Sequence, residues 1–385
     1  MDFNFTEAQL LLRNSAREFL QKECPKSYIR EMEEKGEVPE EVFKKMAEKG
    51  WLGVSIPEKY GGAGGDSVDF AILLEETGRC WTSLGLLWGI NTVFGARTLG
   101  CHGSEEQKRS LLPKLCKGEV RFSGAFTEPG GGTDLLALTT NATKVKDAWV
   151  VNGQKTYITG ALEADYLITI VRTEKNPAKR AGAFTIFLID AKSSGIEIRK
   201  LHKLGVWASD TDEVFFTDVK VPEKSVIGEV NRGFYMLTDT LNNERIMVSA
   251  MSIGNGQAAF EDALEYAKQR HAFGKPIGQF QVIQRYLAEL KVEIEAARLL
   301  IYRAAWMESQ GLPCGMESTM ADYFASETAL KCAITGMRVM AGAGYMMENS
   351  MQRYYRDAIV TVFAPISNEM CMDEIARSLG LPRSY

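Results

Sequence analysis

A chain of 385 residues has room for two or three domains, each able to bury a core of its own. Its 45% apolar and 25% charged residues are those of a folded, water-exposed protein, and a net charge of −5 with no basic stripe excludes an electrostatic binder of nucleic acid. Seven scattered cysteines without a CxxC pair and only three histidines speak against a disulfide frame or zinc centre, while the opening MDFNFTEAQ is no signal peptide and no apolar run is long enough to span a bilayer, so a cytoplasmic protein is expected.

Residues 1–120 read as an N-terminal helical domain. Thr6-Glu7-Ala8-Gln9 is a capping box that opens a helix through Leu11, Leu12 and Phe19. Pro39 and Gly50 bracket a second helix. Further helices are predicted over 66–80, 84–99 and 104–117, the last opened by Ser104-Glu105-Glu106-Gln107. Apolar residues on these faces are core.

Residues 121–230 change period. Runs of β-branched and alternating residues predict strands at 149–151, 166–171, 184–189 and 214–221, closed by Pro222 and Gly228, which make a small antiparallel β-domain. It carries the most informative stretch of the chain, FSGAFTEPGGGTD at Phe122–Asp134. Pro129 fixes φ and lacks an N–H, and three glycines then expose bare backbone, so the stretch ends a strand and turns N–H groups and hydroxyls towards a ligand. Asn152-Gly153 reads as a hairpin turn, behind which Lys155-Thr156-Tyr157-Ile158-Thr159 returns with an aromatic and two hydroxyls.

Residues 231–385 read as a C-terminal helical bundle. Phe280, Ile283, Leu287, Leu290, Ile294, Ala297 and Ile301 step by three and four, one apolar stripe on a long helix.

TEPGGGTD followed by NGQKTYITG resembles the flavin-binding signature of the acyl-CoA dehydrogenase family, usually TEPxAGSD and NGxKxWIT. The resemblance continues in order through PEKYGG at Pro57–Gly62, QRHAFGKPIGQFQ at Gln269–Gln281, GAGY at Gly342–Tyr345 and YRDA at Tyr355–Ala358. It implies an α+β fold of helical, β and helical domains, FAD as cofactor, an acyl-CoA substrate, electron-transfer flavoprotein as electron partner, and a homotetramer. Within the family, the opening MDFN, the pair Glu244-Arg245 and AFEDALEYAKQR resemble the crotonobetainyl-CoA members, which can run as reductases.

Removing an α-proton and a β-hydride from a thioester requires a carboxylate, a flavin and donors on the thioester oxygen. The family usually places the base in a segment E-G-T-x-E/Q that follows RDA at a fixed distance. The corresponding segment here is Pro365-Ile366-Ser367-Asn368-Glu369, so the usual base position holds a proline, which takes no proton and offers no N–H. Losing one such donor typically costs about 3–4 kcal/mol of barrier. Some members carry a base immediately before an arginine on the first helix of the last domain, and that position is Glu244, the favoured catalytic residue. The resemblance implies cofactor contacts at Phe126, Thr127, Gly132, Thr133, Tyr157, Ile158 and Thr159, with Arg270, Phe273, Phe280 and Gln281 reaching the FAD of a neighbouring subunit. The resemblance further implies cofactor contacts at Arg338 and Gly342, Arg338 standing where the family commonly has glutamine, and at Ser367 and Glu369, which close the adenine-side pocket. Thr133, Asn242 and Arg245 are the substrate-side candidates, and Trp207 has no assigned role. Two other readings stay open: an unusual cyclic or branched acyl-CoA with a non-standard base, and a flavin-binding member without dehydrogenase chemistry.

Overall fold

The computed structural model describes residues 4–175 and 177–382. Its first domain holds α1 (Glu7–Glu23), α2 (Lys26–Lys35), α3 (Glu40–Glu48), α4 (Ser67–Cys80), α5 (Thr82–Ile90), α6 (Thr98–His102) and α7 (Glu105–Cys116). Between α5 and α6 the backbone winds through a π turn, Asn91–Arg97. The starts of α1, α4 and α7 are fixed by capping boxes: Thr6 with Gln9, Asp66 with Asp69, and Ser104 with Gln107 each close on the other's backbone N–H.

The second domain is a sheet of β1 (Phe122–Ala125), β2 (Asn141–Val145), β3 (Ala148–Thr159), β4 (Tyr166–Arg172), β5 (Phe184–Asp190), β6 (Ile196–Lys200), β7 (Thr211–Pro222) and β8 (Val226–Ile227). Its order is β6-β7-β3-β2-β4-β5-β8. Pairing is antiparallel except that β1 lies parallel beside β4 and one β2–β4 bridge is parallel. Trp149, Val151, Leu167, Phe187, Val214 and Phe216 make a core on one face, separate from the larger core shared with the helices.

The expected hairpin turn at Asn152-Gly153 is not a turn. Both residues lie inside β3, Asn152 facing Asn141 and Gly153 facing Phe216 at an irregularity in register. Lys146-Asp147 joins β2 to β3, with Lys146 at φ 55°. An Asn-Gly pair has the local chemistry of a tight turn, but pairing of β3 with strands on both sides overrides it. Gly153 is needed for another reason: a Cβ there would sit 2.5 Å from Thr140 Oγ1.

The third domain comprises α8 (Gly233–Gln269), β9 (His271–Ala272), β10 (Lys275–Pro276), α9 (Gln281–Ser309), α10 (Gly315–Met340), α11 (Gly342–Tyr345), α12 (Met351–Ala358) and α13 (Asn368–Ser378). The predicted stripe is buried at Leu287, Leu290, Ile294, Ala297 and Ile301. Phe280 departs from it: it caps α9 from outside in extended backbone and is only part-buried.

α4 and α8 touch backbone to backbone. A Cβ on Gly254 would lie 2.1 Å from the Glu75 carbonyl oxygen, and one on Gly78 would lie 2.2 Å from that of Met251. Alanine's better helix propensity returns about 1 kcal/mol, whereas overpacking against atoms that cannot rotate away costs about 1–3 kcal/mol or more. Gly254→Ala is therefore expected to lower the thermal midpoint. Gly100→Ala, whose Cβ meets nothing within 4 Å, should not. Equal midpoints in a thermal scan of the two variants would refute the close crossing.

Trp207 clamps the three domains. Its backbone N–H donates to Glu33 of α2 at 3.0 Å, and the Arg356 guanidinium of α12 lies 3.6 Å from its ring centroid. The neighbouring Val206 N–H donates to Asp357 at 2.7 Å.

Candidate active site

The glycine stretch leaves β1 at Ala125 and is held from three sides. Phe126 meets Phe94 of the π turn edge-on, with ring centroids 4.9 Å apart. The Thr127 carbonyl accepts from the Thr156 N–H at 2.9 Å, tying the loop to β3. Glu128 and Gly131 exchange backbone hydrogen bonds of 2.8 and 3.0 Å, which closes Pro129-Gly130 into a tight turn. Beneath it lies a buried ion pair absent from the sequence-based candidates. Lys155 Nζ donates to Glu128 Oε1 at 2.8 Å and to the Phe126 carbonyl at 2.9 Å. Glu128 also accepts the N–H and hydroxyl of Thr139 and the N–H of Thr140. Burial works against the Glu128 carboxylate, yet the Lys155 ammonium and these donors outweigh it and hold it at about 2. Burial pulls Lys155 down to about 8 despite Glu128, so both groups are charged at neutral pH.

What this anchoring leaves free is informative. Among the described residues, the N–H groups of Gly132 and Thr133 make no hydrogen bond. Tyr157 sits at φ 59°, a left-handed backbone that a bulky residue rarely takes, with a side chain 69% exposed. Ile158 next to it is buried in the sheet core, so only its backbone can serve a ligand. Thr159 is half-buried, its carbonyl accepting from Ser123 Oγ at 2.6 Å. Bare glycine backbone, two unused N–H donors and an exposed aromatic on the adjoining strand fit the expected flavin.

The π turn links this loop to α8. Arg97, one short step beyond Phe94, pairs with Glu308 at the end of α9. Asn243 Nδ2 donates to the same Glu308 oxygen at 3.3 Å. The next residue, Glu244, is half-buried and makes no hydrogen bond among the described residues. Burial pushes its carboxyl up to about 7, with Arg245 only partly opposing. A carboxyl of that kind is poised to take or give a proton at neutral pH. Arg245 is buried, its Nη1 3.4 Å from Asn242 Oδ1 and its Nη2 3.3 Å from Glu374 of α13. Asn242 also accepts from Ser318 of α10 at 3.3 Å. Asn242 and Arg245 are thus joined through their side chains, with Glu244 beside Arg245 in the chain.

The remaining candidates lie apart. Arg270, Phe273, Gln281, Arg338, Gly342 and Glu369 are exposed, and no hydrogen bond or ion pair joins them to the glycine loop among the described residues. Phe273 is 95% exposed at φ 52°, a second strained, uncovered aromatic, and packs edge-on against Phe280 at 6.1 Å. The Ser367 hydroxyl caps α13 by accepting from the Met370 N–H. Pro365 lies in the segment entering that helix.

Three family models match the chain: acyl-CoA dehydrogenase N-terminal domain over residues 6–119, middle domain over 123–219 and C-terminal domain over 231–380. An acyl-CoA dehydrogenase of Bacillus subtilis is 36% identical over 367 residues, 95% of this chain and 96% of that protein. A subunit of the caffeyl-CoA reductase–Etf complex of Acetobacterium woodii is 35% identical over 92% of this chain and 94% of its own. The solved structure of butyryl-CoA dehydrogenase from Megasphaera elsdenii superposes with a TM-score of 0.95 at 33% identity, covering 99% of this chain and 100% of that one.

Proposed function

Because this chain belongs to the acyl-CoA dehydrogenase family, FAD-dependent oxidoreductases of acyl-CoA, we propose that Glu244 is the base that takes the α-proton of the thioester. The observation that carries this reading is a half-buried carboxyl without a hydrogen-bond partner, raised to about 7, beside an arginine and linked through the π turn to the glycine loop. Bound FAD supplies the acceptor for the β-hydride. It would be held by Phe126, Thr127, Gly132, Thr133, Tyr157, Ile158 and Thr159, with Arg270, Phe273, Phe280 and Gln281 reaching from a neighbouring subunit, Arg338 and Gly342 completing the set, and Ser367 and Glu369 closing the adenine side. Thr133, Asn242 and Arg245 orient the acyl-CoA. Pro365 contributes neither carboxylate nor N–H, so Glu244 stands without a second base in that segment.

A carboxyl half-ionised near neutrality serves equally as acid, and the reductase relative from Acetobacterium woodii supports enoyl-CoA reduction as the alternative direction. The same relative supports an electron-transfer flavoprotein as partner. Exposed Phe273, Tyr345, Met346, Met347 and Phe363 on the third domain favour a homotetramer that covers them. Five of the seven free cysteines are buried, which suits the cytoplasm. Among the described residues no helix is long and apolar enough to cross a membrane.

The yellow holoenzyme, mixed anaerobically with a panel of acyl-CoAs, is expected to lose its flavin absorbance with at least one saturated thioester. A flavin left oxidised by every acyl-CoA, and once chemically reduced left unreoxidised by every enoyl-CoA, would refute both directions and favour a non-catalytic flavin-binding role.

A further inference from the structure

Away from the glycine loop, the fold brings together two cysteines that stand 56 positions apart in the chain, Cys24 and Cys80. Cys24 ends α1, with Pro25 behind it turning the backbone out of the helix at φ −124° and ψ 59°. Cys80 is the last residue of α4. Its Sγ lies 3.7 Å from the Leu20 carbonyl oxygen and 3.7 Å from the carbonyl oxygen of Cys24 itself. The Cys80 thiol is thus seated on the end of α1, beside the residue that carries the second thiol. Both thiols are free.

The pair is open to small molecules. A cleft of about 250 Å³ is lined by both cysteines together with Arg17, Arg79 and Tyr354. Its arginines are engaged, Arg17 with Glu76 at 2.6 Å and Arg79 with Glu261 at 2.6 Å. Cys24 is buried and Cys80 half-buried, so a reagent in the cleft meets Cys80 first. The hydrogen bond from Cys24 lowers the Cys80 thiol, and Arg353 and Arg79 lower it further against burial. The same bond and burial raise Cys24. A thiolate is the attacking species in sulfur chemistry, which makes Cys80 the nucleophile and Cys24 the resolving thiol.

We propose that Cys24 and Cys80 form a thiol–disulfide exchange site, which ties α1 to α4 when it meets a small external disulfide. The Cys80 thiolate attacks one sulfur of that disulfide, whose S–S bond breaks, and half of the reagent leaves as a thiolate. Cys24 then attacks the Cys80 sulfur of the mixed disulfide and expels the other half. The protons of the two cysteines end on the two departing thiolates. The pair is oxidised by two electrons, and the external disulfide is reduced to two thiols. Gly78, just ahead of Cys80, already rests on the Met251 backbone of α8, so the new bond extends that interlock to the first helix. The site is independent of Glu244 and of the direction of turnover.

The test exposes reduced, desalted holoenzyme to hydroxyethyl disulfide, traps remaining thiols by alkylation after unfolding, and maps the peptides by mass spectrometry. Wild type should yield one peptide pair joined through Cys24 and Cys80, lighter by two hydrogen atoms. Cys24→Ser should stop at the mixed disulfide on Cys80, and Cys80→Ser should leave Cys24 free. Oxidation should raise the thermal midpoint of wild type by roughly 5 °C, since it closes a long loop of the unfolded chain, and of neither variant. If a variant yields no soluble holoenzyme, the wild-type map decides alone. Both thiols recovered free, Cys80 halted at the mixed disulfide in wild type, or either cysteine joined to a different one overturns the proposal. A cross-link that leaves the midpoint unmoved overturns it too, because it would not tie α1 to α4 in the folded chain.

Discussion

Glu244→Gln is expected to slow the anaerobic bleaching of flavin by the best acyl-CoA about 10²–10⁴-fold in a single turnover, the usual worth of a general base. Glutamine keeps the volume and most of the polarity of the side chain, so FAD content and acyl-CoA affinity should change little. The pH dependence gives an independent sign. Glu244 must be ionised to accept a proton, and burial pushes it up to about 7, so the wild-type dehydrogenation rate should fall as pH drops through that value and level off above it. The acid limb should vanish from Glu244→Gln. Pro365→Glu asks the complementary question, because it brings a carboxylate and an N–H together to the position where the family usually has them. Partial recovery in the double variant would show that the chemistry tolerates either placement. Wild-type bleaching by Glu244→Gln would end the assignment.

Lys155→Met should have the largest effect on stability. It strips the counter-ion from a carboxylate that is 5% exposed and leaves that charge buried, a change that typically costs about 3–5 kcal/mol. Because Lys155 also holds the Phe126 carbonyl, the loop should loosen with it, and the purified variant should lose FAD as well as melt earlier. Adding Glu128→Leu removes the orphaned charge, but it also deprives the Thr139 and Thr140 N–H groups of their acceptor. The double variant should therefore regain only part of the loss. A Lys155→Met protein with wild-type midpoint and full flavin content would show that the pair does not hold the loop.

The sequence signals that survived are local ones. A capping box closes within four residues, and Thr6 with Gln9 or Ser104 with Gln107 is legible without knowing anything distant. The glycine stretch is equally local, as is the spacing of Leu287, Leu290 and Ile294. What failed or was missed depends on distance along the chain. Asn152-Gly153 looks like a turn until strand β3 is paired on both sides. Glu128 and Lys155 are far apart in sequence, and nothing in either neighbourhood announces the pair. The buried acid Asp322 is no clearer, because it stands on a buried face of α10 that carries Ser318, Thr319, Ser326 and Thr328 among its alanines. The π turn had no signal, since its wider winding needs no special residue.

The meeting of Gly78 with Gly254 governs which parts of the molecule can move. Helices usually slide past each other on a layer of side chains that changes rotamer as they go. Here that layer is absent, and backbone rests on backbone, so shear between α4 and α8 is blocked. Motion is expected instead in segments without such an interlock, the exposed turn at Pro129-Gly130 and the run from Phe363 to Ser367 ahead of α13. In hydrogen exchange, amides around Gly78 and Gly254 should open only with the whole protein, and those two segments well before it.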